Sequence, residues 1–290
     1  IGPELGAQVA SRYDEILSDP AVDLVSIASY DDAHFEQVVA ALEAGKHVFV
    51  EKPLCRTTAE LRRIKRLITE TGRHLASNLV LREVPLYTWL RAAIRDGRLG
   101  EIYAFDGDYL YGRVEKITEG WRREVQDYSV MQGGGIHLVD LMLWTTGQRP
   151  ARVHAVGNRI VTAGTAFRYN DFAAATLTFP SSLIGRVTAN FGCSHRHQHV
   201  VRVFGTAATF LYDDEGARLH TSRDPSVSPV RLSEDPVPGS KGDLIPAFVA
   251  DIVGGRDRSA LTQHEFDVIS VCAAVDRSIA TNATVDVDYV

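Results

Sequence analysis

The chain has 290 residues, 31 Lys and Arg against 37 Asp and Glu, a net charge of −6 and 45 % hydrophobic residues. That balance leaves no basic footprint for nucleic acid or an anionic membrane, and no apolar run approaches the roughly 18 residues of a membrane span. Cys55, Cys193 and Cys272 are odd in number, far apart and without metal or redox spacing, so the expectation is reduced thiols in a cytoplasm.

The first third alternates helix and strand. A short helix over 13–18 stops before Pro20, and 22–28 is a strand. Phe35, Val38, Val39 and Leu42 then share one helical face. Val48, Phe49 and Val50 form a short apolar run, as in a strand covered on both faces. Thr57 and Glu60 make a capping box for a helix striped by Leu61, Ile64, Leu67 and Ile68, and 74–81 is a further strand. Such βα units predict a parallel, doubly wound sheet.

The pattern changes after 82. A helix over 85–96 is followed by a strand at 101–111, a polar segment at 112–131 and a helix within 133–147. Strands at 152–161, 172–179, 184–193, 199–205 and 207–212 alternate as an antiparallel sheet with two unlike faces. A Pro- and Ser-rich segment, 213–246, is expected as a long loop. Two helices close the chain, at 245–254 and at 263–281, the second capped by Thr262 and Glu265. The fold class is therefore α/β, an incomplete Rossmann-type parallel sheet over 1–82. An α+β domain with a large, mainly antiparallel open sheet follows over 83–290.

The segment Ala44 to Pro53, AGKHVFVEKP, is the most informative. Gly45 suits a left-handed helix end, and Pro53 holds Lys52 in extended geometry at the carboxyl end of a strand. Ligands bind at that end of open α/β sheets, and a lysine there can polarise a carbonyl or stabilise an alkoxide. Further on, GGGIHLVD places His137 and Asp140 three apart on one helical face, behind three glycines that would let a cofactor ring or sugar approach closely.

Together these two motifs resemble the Gfo/Idh/MocA oxidoreductases, from about Tyr13 to the C-terminus. The resemblance implies NAD or NADP as cofactor and a sugar or cyclitol as substrate. It implies Lys52 bonded to the substrate oxygen, His137 as catalytic base, and Asp140 orienting His137 or binding a hydroxyl. A neutral imidazole suits proton transfer near physiological pH. The stretch from Ser29 through Tyr30 to His34 is similar to a Thr-Pro-x-x-x-His motif of the cofactor cleft, with Tyr30 in the proline's place. Glu51, next to Lys52 and Pro53, could accept a ribose hydroxyl. Trp121 and Arg122 resemble a pair that reaches the cofactor. Tyr109, Tyr111 and Arg113 are candidates for substrate contact by position.

The resemblance is incomplete. The chain begins with Ile1 and has no G-x-G-x-x-G phosphate loop. It reads as a fragment, or as a natural short form with a degenerate nucleotide site, and a strand lacking its neighbour should make it poorly soluble or oligomeric. Gly133 stands where most of the family carry an Asp four residues before the histidine. Either Lys52 and His137 suffice, Asp140 substitutes, or the activity differs or is lost. The alternative reading is a non-catalytic dinucleotide- or sugar-binding regulatory protein, or an inactive truncated member.

No metal is expected. His195, His197 and His199 alternate along a strand edge, but no carboxylate or Cys partner is supplied by spacing. They fit an exposed turn or an edge facing substrate or a second subunit. A large open sheet face also predicts a homo-oligomer, dimer or tetramer.

Overall fold

The computed structural model describes Glu4 and residues 6–290, so residues 1–3 and 5 of the expected first domain lie outside it. After α1 (Tyr13–Ser18), strands β1 (Leu24–Ile27), β2 (His47–Val50) and β3 (Leu75–Ser77) form a parallel sheet in the order β1-β2-β3. Helices α2 (His34–Glu43) and α3 (Thr58–Thr71) connect them. α2 ends as expected. Gly45 takes φ +72°, its N–H donates to Leu42 O and the Lys46 N–H donates to Ala41 O, which closes the helix and turns the chain into β2. The Thr57–Glu60 capping box opens α3. β3 is shorter than expected, and the residues beyond it form a 3₁₀ turn, Val80–Glu83.

β2 is buried along its whole length. Val48 and Val50 share a core with Val38, Leu42, Leu61 and Ile64 of α2 and α3. Phe49 points the other way and packs on Phe248, ring centroids 5.9 Å apart. Phe248 belongs to α7 (Leu244–Val253), a helix from far later in the chain. Its full burial contributes roughly 2–3 kcal/mol, and it supplies the layer on this face.

α4 (Pro85–Arg95) leads into β4 (Ile102–Leu110), then α5 (Glu115–Thr118), a five-residue π turn (Met131–Gly135) and α6 (Ile136–Thr146). The second sheet adds β5 (Arg152–Asn158), β6 (Phe172–Thr178), β7 (Ile184–Asn190), β8 (Gln198–Gly205) and β9 (Thr209–Asp213). The segment 213–246 is not simply a loop. β10 (Gly216–His220) pairs antiparallel with β9, and β11 (Val230–Arg231) pairs with β10. β12 (Val285–Asp286) closes the far edge against β5. The nine-stranded order is β11-β10-β9-β8-β4-β7-β6-β5-β12, antiparallel except at β4·β7.

The last helix, α8 (Ser259–Thr281), starts earlier than its expected cap. Asp257 accepts from the Ser259 N–H and hydroxyl instead. Thr262 and Glu265 sit inside the helix, where Thr262 donates to Leu75 O and Glu265 pairs with Arg82. What resembles a cap in sequence is thus a docking face between α8 and the first sheet.

Candidate active site

A cleft of about 970 Å³ opens between the carboxyl ends of β1–β3 and the second sheet. Ser29, Asp31, Glu51, Lys52 and Asn78 line it from one side. Tyr109, Tyr111, Gly133, His137, His197 and His199 line it from the other. The Lys52–Pro53 peptide is cis, and Lys52 Nζ donates to the Gly133 carbonyl at 2.8 Å. Lys52 is therefore docked on the turn immediately before His137. π turns of this kind recur at functional sites because they break the regular ladder and free carbonyls for other partners.

Burial lowers the Lys52 pKa below that of an ordinary lysine, and Arg122 lowers it further, while Asp31 and Glu51 oppose the shift. His137 is lowered well below its ordinary value, by burial first and then by Lys52, His199 and His197. Its imidazole is neutral near pH 7, and its Nδ1 is buried with no hydrogen-bond partner. Tyr109 lies nearly parallel to it at 6.3 Å between centroids, and His199 meets it edge-on at 5.6 Å.

Asp140 departs from expectation. It is fully buried and accepts from Arg82 Nε and Nη2, at 3.0 and 2.6 Å, and lies 2.8 Å from His264 Nε2. Burial works against its charge, yet Arg82 and His264 hold its pKa below the usual range. Arg82 also bonds Glu265 at 3.0 Å, so the cluster ties the β3 exit, α6 and α8 together. Asp140 neither lines the cleft nor orients His137. The i, i+3 spacing puts both on one broad face, but each reaches a different neighbour.

The triple glycine also has a different reason from the expected one. A Cβ on Gly133 would overlap the Tyr128 hydroxyl, one on Gly134 the Tyr109 ring, and one on Gly135 the Met131 sulfur. The space is filled by the protein's own side chains, although Gly133 still borders the cleft.

Among the expected cofactor residues, Ser29, Glu51, Trp121 and Arg122 line the cleft. His34 is buried and does not line it. Its Nδ1 lies 2.8 Å from Pro53 O and its Nε2 3.2 Å from Ser29 O, so it staples the turn after β1 to the turn after β2. Tyr30 stacks on Trp121 at 4.5 Å, and Arg122 lies over the same indole at 4.4 Å. Tyr30 and Pro53 are supports rather than cleft lining.

Residues the sequence did not single out also line the cleft, among them Asp31, Asn78, Tyr212 and Lys241. Asn78 Nδ2 donates to Glu51 Oε1 and to Lys241 O, both at 2.8 Å, which anchors the segment after β11 to the first sheet. The histidine stripe divides. His195 pairs with Asp214 at 3.0 Å, whereas His197 and His199 pack on Tyr109 inside the cleft. No cluster of three potential metal ligands occurs among the described residues. No helix among them is long and apolar enough to cross a membrane.

Comparison with known proteins agrees with this geometry. Residues 2–79 match a family model described as "Oxidoreductase family, NAD-binding Rossmann fold". Residues 87–211 match the "GFO/IDH/MocA C-terminal domain". The chain is 32 % identical over 163 residues to a 1,5-anhydro-D-fructose reductase of Ensifer adhaerens, an alignment covering 53 % of this chain and 46 % of the relative. It is 30 % identical over 146 residues to a scyllo-inositol 2-dehydrogenase (NADP(+)) of Bacillus subtilis, covering 50 % and 40 %. The chain thus spans less than half the length of these curated relatives. A solved levoglucosan dehydrogenase in complex with NADH and levoglucosan superposes with a TM-score of 0.83 at 21 % identity, over 99 % of this chain and 86 % of the other, which is a likeness of fold. With the two domain models matching in succession across most of its length, the chain belongs to the Gfo/Idh/MocA oxidoreductase family.

Proposed function

We propose that this chain is an NAD(P)-dependent oxidoreductase acting on a CH–OH group of a sugar or cyclitol. One observation carries the reading: a half-buried lysine and a neutral histidine with an unpartnered Nδ1 share one cleft at the carboxyl ends of a parallel sheet.

The cleft fits a dinucleotide by its chemistry. Asn78 Oδ1 and Arg122 Nε are buried without partners, and Ser29, Glu51 and Trp121 line the same cleft. Ser29, Glu51, Asn78, Trp121 and Arg122 are the residues that would hold it. When bound, the nicotinamide supplies a hydride acceptor or donor at C4. In oxidation, Lys52 donates a hydrogen bond to the substrate oxygen and stabilises the negative charge that develops there. The neutral His137 takes the hydroxyl proton, which leaves a carbonyl on the substrate and an imidazolium on the enzyme. In reduction, the same proton returns from His137. The lysine's lowered pKa makes it a stronger donor than a solvated ammonium.

The relatives named above as an anhydrofructose reductase and an inositol dehydrogenase support the substrate class. The outer face of the second sheet, with Tyr103, Val156 and Ile184 exposed, is the surface we assign to a homo-oligomer.

The test is fluorescence titration with NADH and NADPH, followed by turnover of a sugar and cyclitol panel. Lys52→Met and His137→Asn should each lower kcat by about 10²–10⁴-fold with unchanged melting temperature. Unchanged turnover in both variants would overturn the reading. Saturable dinucleotide binding with no turnover across the panel would favour a non-catalytic binding protein.

A further inference from the structure

The wall of the cleft contributed by the second sheet carries charges that the hydride chemistry does not use. Its carboxylates are already committed: Asp213 pairs with Arg218 at 2.8 Å, and Asp214 with Arg196 at 2.9 Å and with His195 at 3.0 Å. Two cations on the same lining have no such partner. Arg113 lies over the Tyr111 ring at 5.6 Å, and Lys241 is held only through its backbone carbonyl, by Asn78. Both side chains are exposed to the cleft, and no carboxylate among the described residues pairs with either.

These cations converge. Arg113 and His197 flank the same Tyr111 ring, 5.6 and 5.1 Å from its centroid, Lys241 lines the same cleft, and both cations add to the desolvation that pushes His197 down to about 4. His197 packs edge-on against Tyr111 and Tyr109, at 5.1 and 5.2 Å, which places the group on the Tyr109 wall that also flanks His137. Two unpaired cations, a neutral imidazole and a phenol make a receptor for an anion. A neutral polyol would leave both charges to solvent.

We propose that the substrate of this cleft is an acidic sugar or cyclitol derivative, its carboxylate or phosphate received by Arg113 and Lys241 while its carbinol faces Lys52 and His137. The assignment rests on the dehydrogenase reading for the role of the site, but not for its occupancy, so it is tested first by binding. Calorimetric titration of the 290-residue chain with gluconate, glucuronate and glucose 6-phosphate is compared with glucose and myo-inositol, with and without NADH. At least one acidic ligand should bind on the order of tenfold tighter than its neutral counterpart. Arg113→Gln and Lys241→Gln should each remove that preference while neutral ligands change less than twofold. The choice among the three acids separates carboxylate from phosphate.

Equal binding of acidic and neutral ligands, unaffected by either variant, overturns the proposal. So does a loss of NADH affinity in both variants with acid binding intact, which would assign the cations to the dinucleotide. Acid binding that depends on Arg113 and Lys241, but without hydride transfer, keeps this proposal and removes the dehydrogenase reading. Hydride transfer to neutral sugars that ignores both variants does the reverse.

Discussion

The hydroxyl of Tyr128 occupies the volume that a Cβ on Gly133 would need. Tyr128 is itself buried, its ring edge-on to Phe167 and Phe191, so it cannot swing aside without opening the core. Gly133→Ala should therefore destabilise the fold by about 1–3 kcal/mol through overpacking, and Gly133→Asp by more, because it also buries a charge. Urea unfolding measures this. A loss under about 0.5 kcal/mol for the alanine variant would mean that the Tyr128 pocket relaxes freely. Restoring the family's aspartate here is accordingly a structural problem before it is a catalytic one.

Asp140 and His137 should behave differently on mutation. Asp140→Ala leaves Arg82 and His264 facing a buried gap, and removing one partner of such a pair costs about 3–5 kcal/mol. His137→Asn disturbs no hydrogen bond at Nδ1, since that atom has none. Thermal melts should show a large drop for Asp140→Ala and almost none for His137→Asn. Turnover below the melting range should show the opposite ranking.

In the proposed mechanism, the pH dependence of turnover follows from the two shifted groups. The base must be neutral, and His137 is held well below 6.5, so kcat/KM should be flat through pH 6.5 and fall only at lower pH. The donor must be protonated, and Lys52 is held below 10.5, so activity should fall on the alkaline side before an ordinary lysine would titrate. Lys52→Arg should move the alkaline limb upward at reduced kcat, because guanidinium does not deprotonate in this range. A profile whose alkaline limb is unmoved by Lys52→Arg would assign that limb to another group.

Behind the π turn, Asp276 accepts from Ser129 Oγ at 2.6 Å and Gln132 Nε2 at 2.8 Å, and burial pushes it up to about 6 from 3.8. Between those values the folded state holds a proton that the unfolded state has released, so stability falls as pH rises through the window. Asp276→Asn keeps the shape and removes the charge, and Gln132 Oε1, buried without a partner, can accept from the new amide. The variant should match the parent near pH 4 and exceed it by roughly 1–3 kcal/mol at pH 7. Denaturant unfolding at the two pH values checks this.

Local rules carried much of the architecture. The Thr57–Glu60 box, the Gly45 helix end and the β2 apolar run each depend on residues within a turn of one another, so their geometry was legible from neighbours alone. The meeting of Lys52 and His137 in one cleft was legible as well, through their motifs. The strands hidden in 213–246 were not, because β10 gains its order from pairing with β9 and β11 from pairing with β10, and their own composition is that of a loop.

The sequence by itself determined which residues could do chemistry: a lysine held by a proline after a strand, and a histidine behind three glycines. Tertiary structure decided which of them share a cleft. Asp140 is drawn away by Arg82 and His264, from segments 58 and 124 residues distant. Lys241 reaches the cleft because its backbone is tied to Asn78, 163 residues earlier. Those partnerships are set by packing of α6, α8 and the segment after β11 against the first sheet. Side-chain periodicity assigns a residue to a face, but the choice of partner on that face is made only when the elements dock.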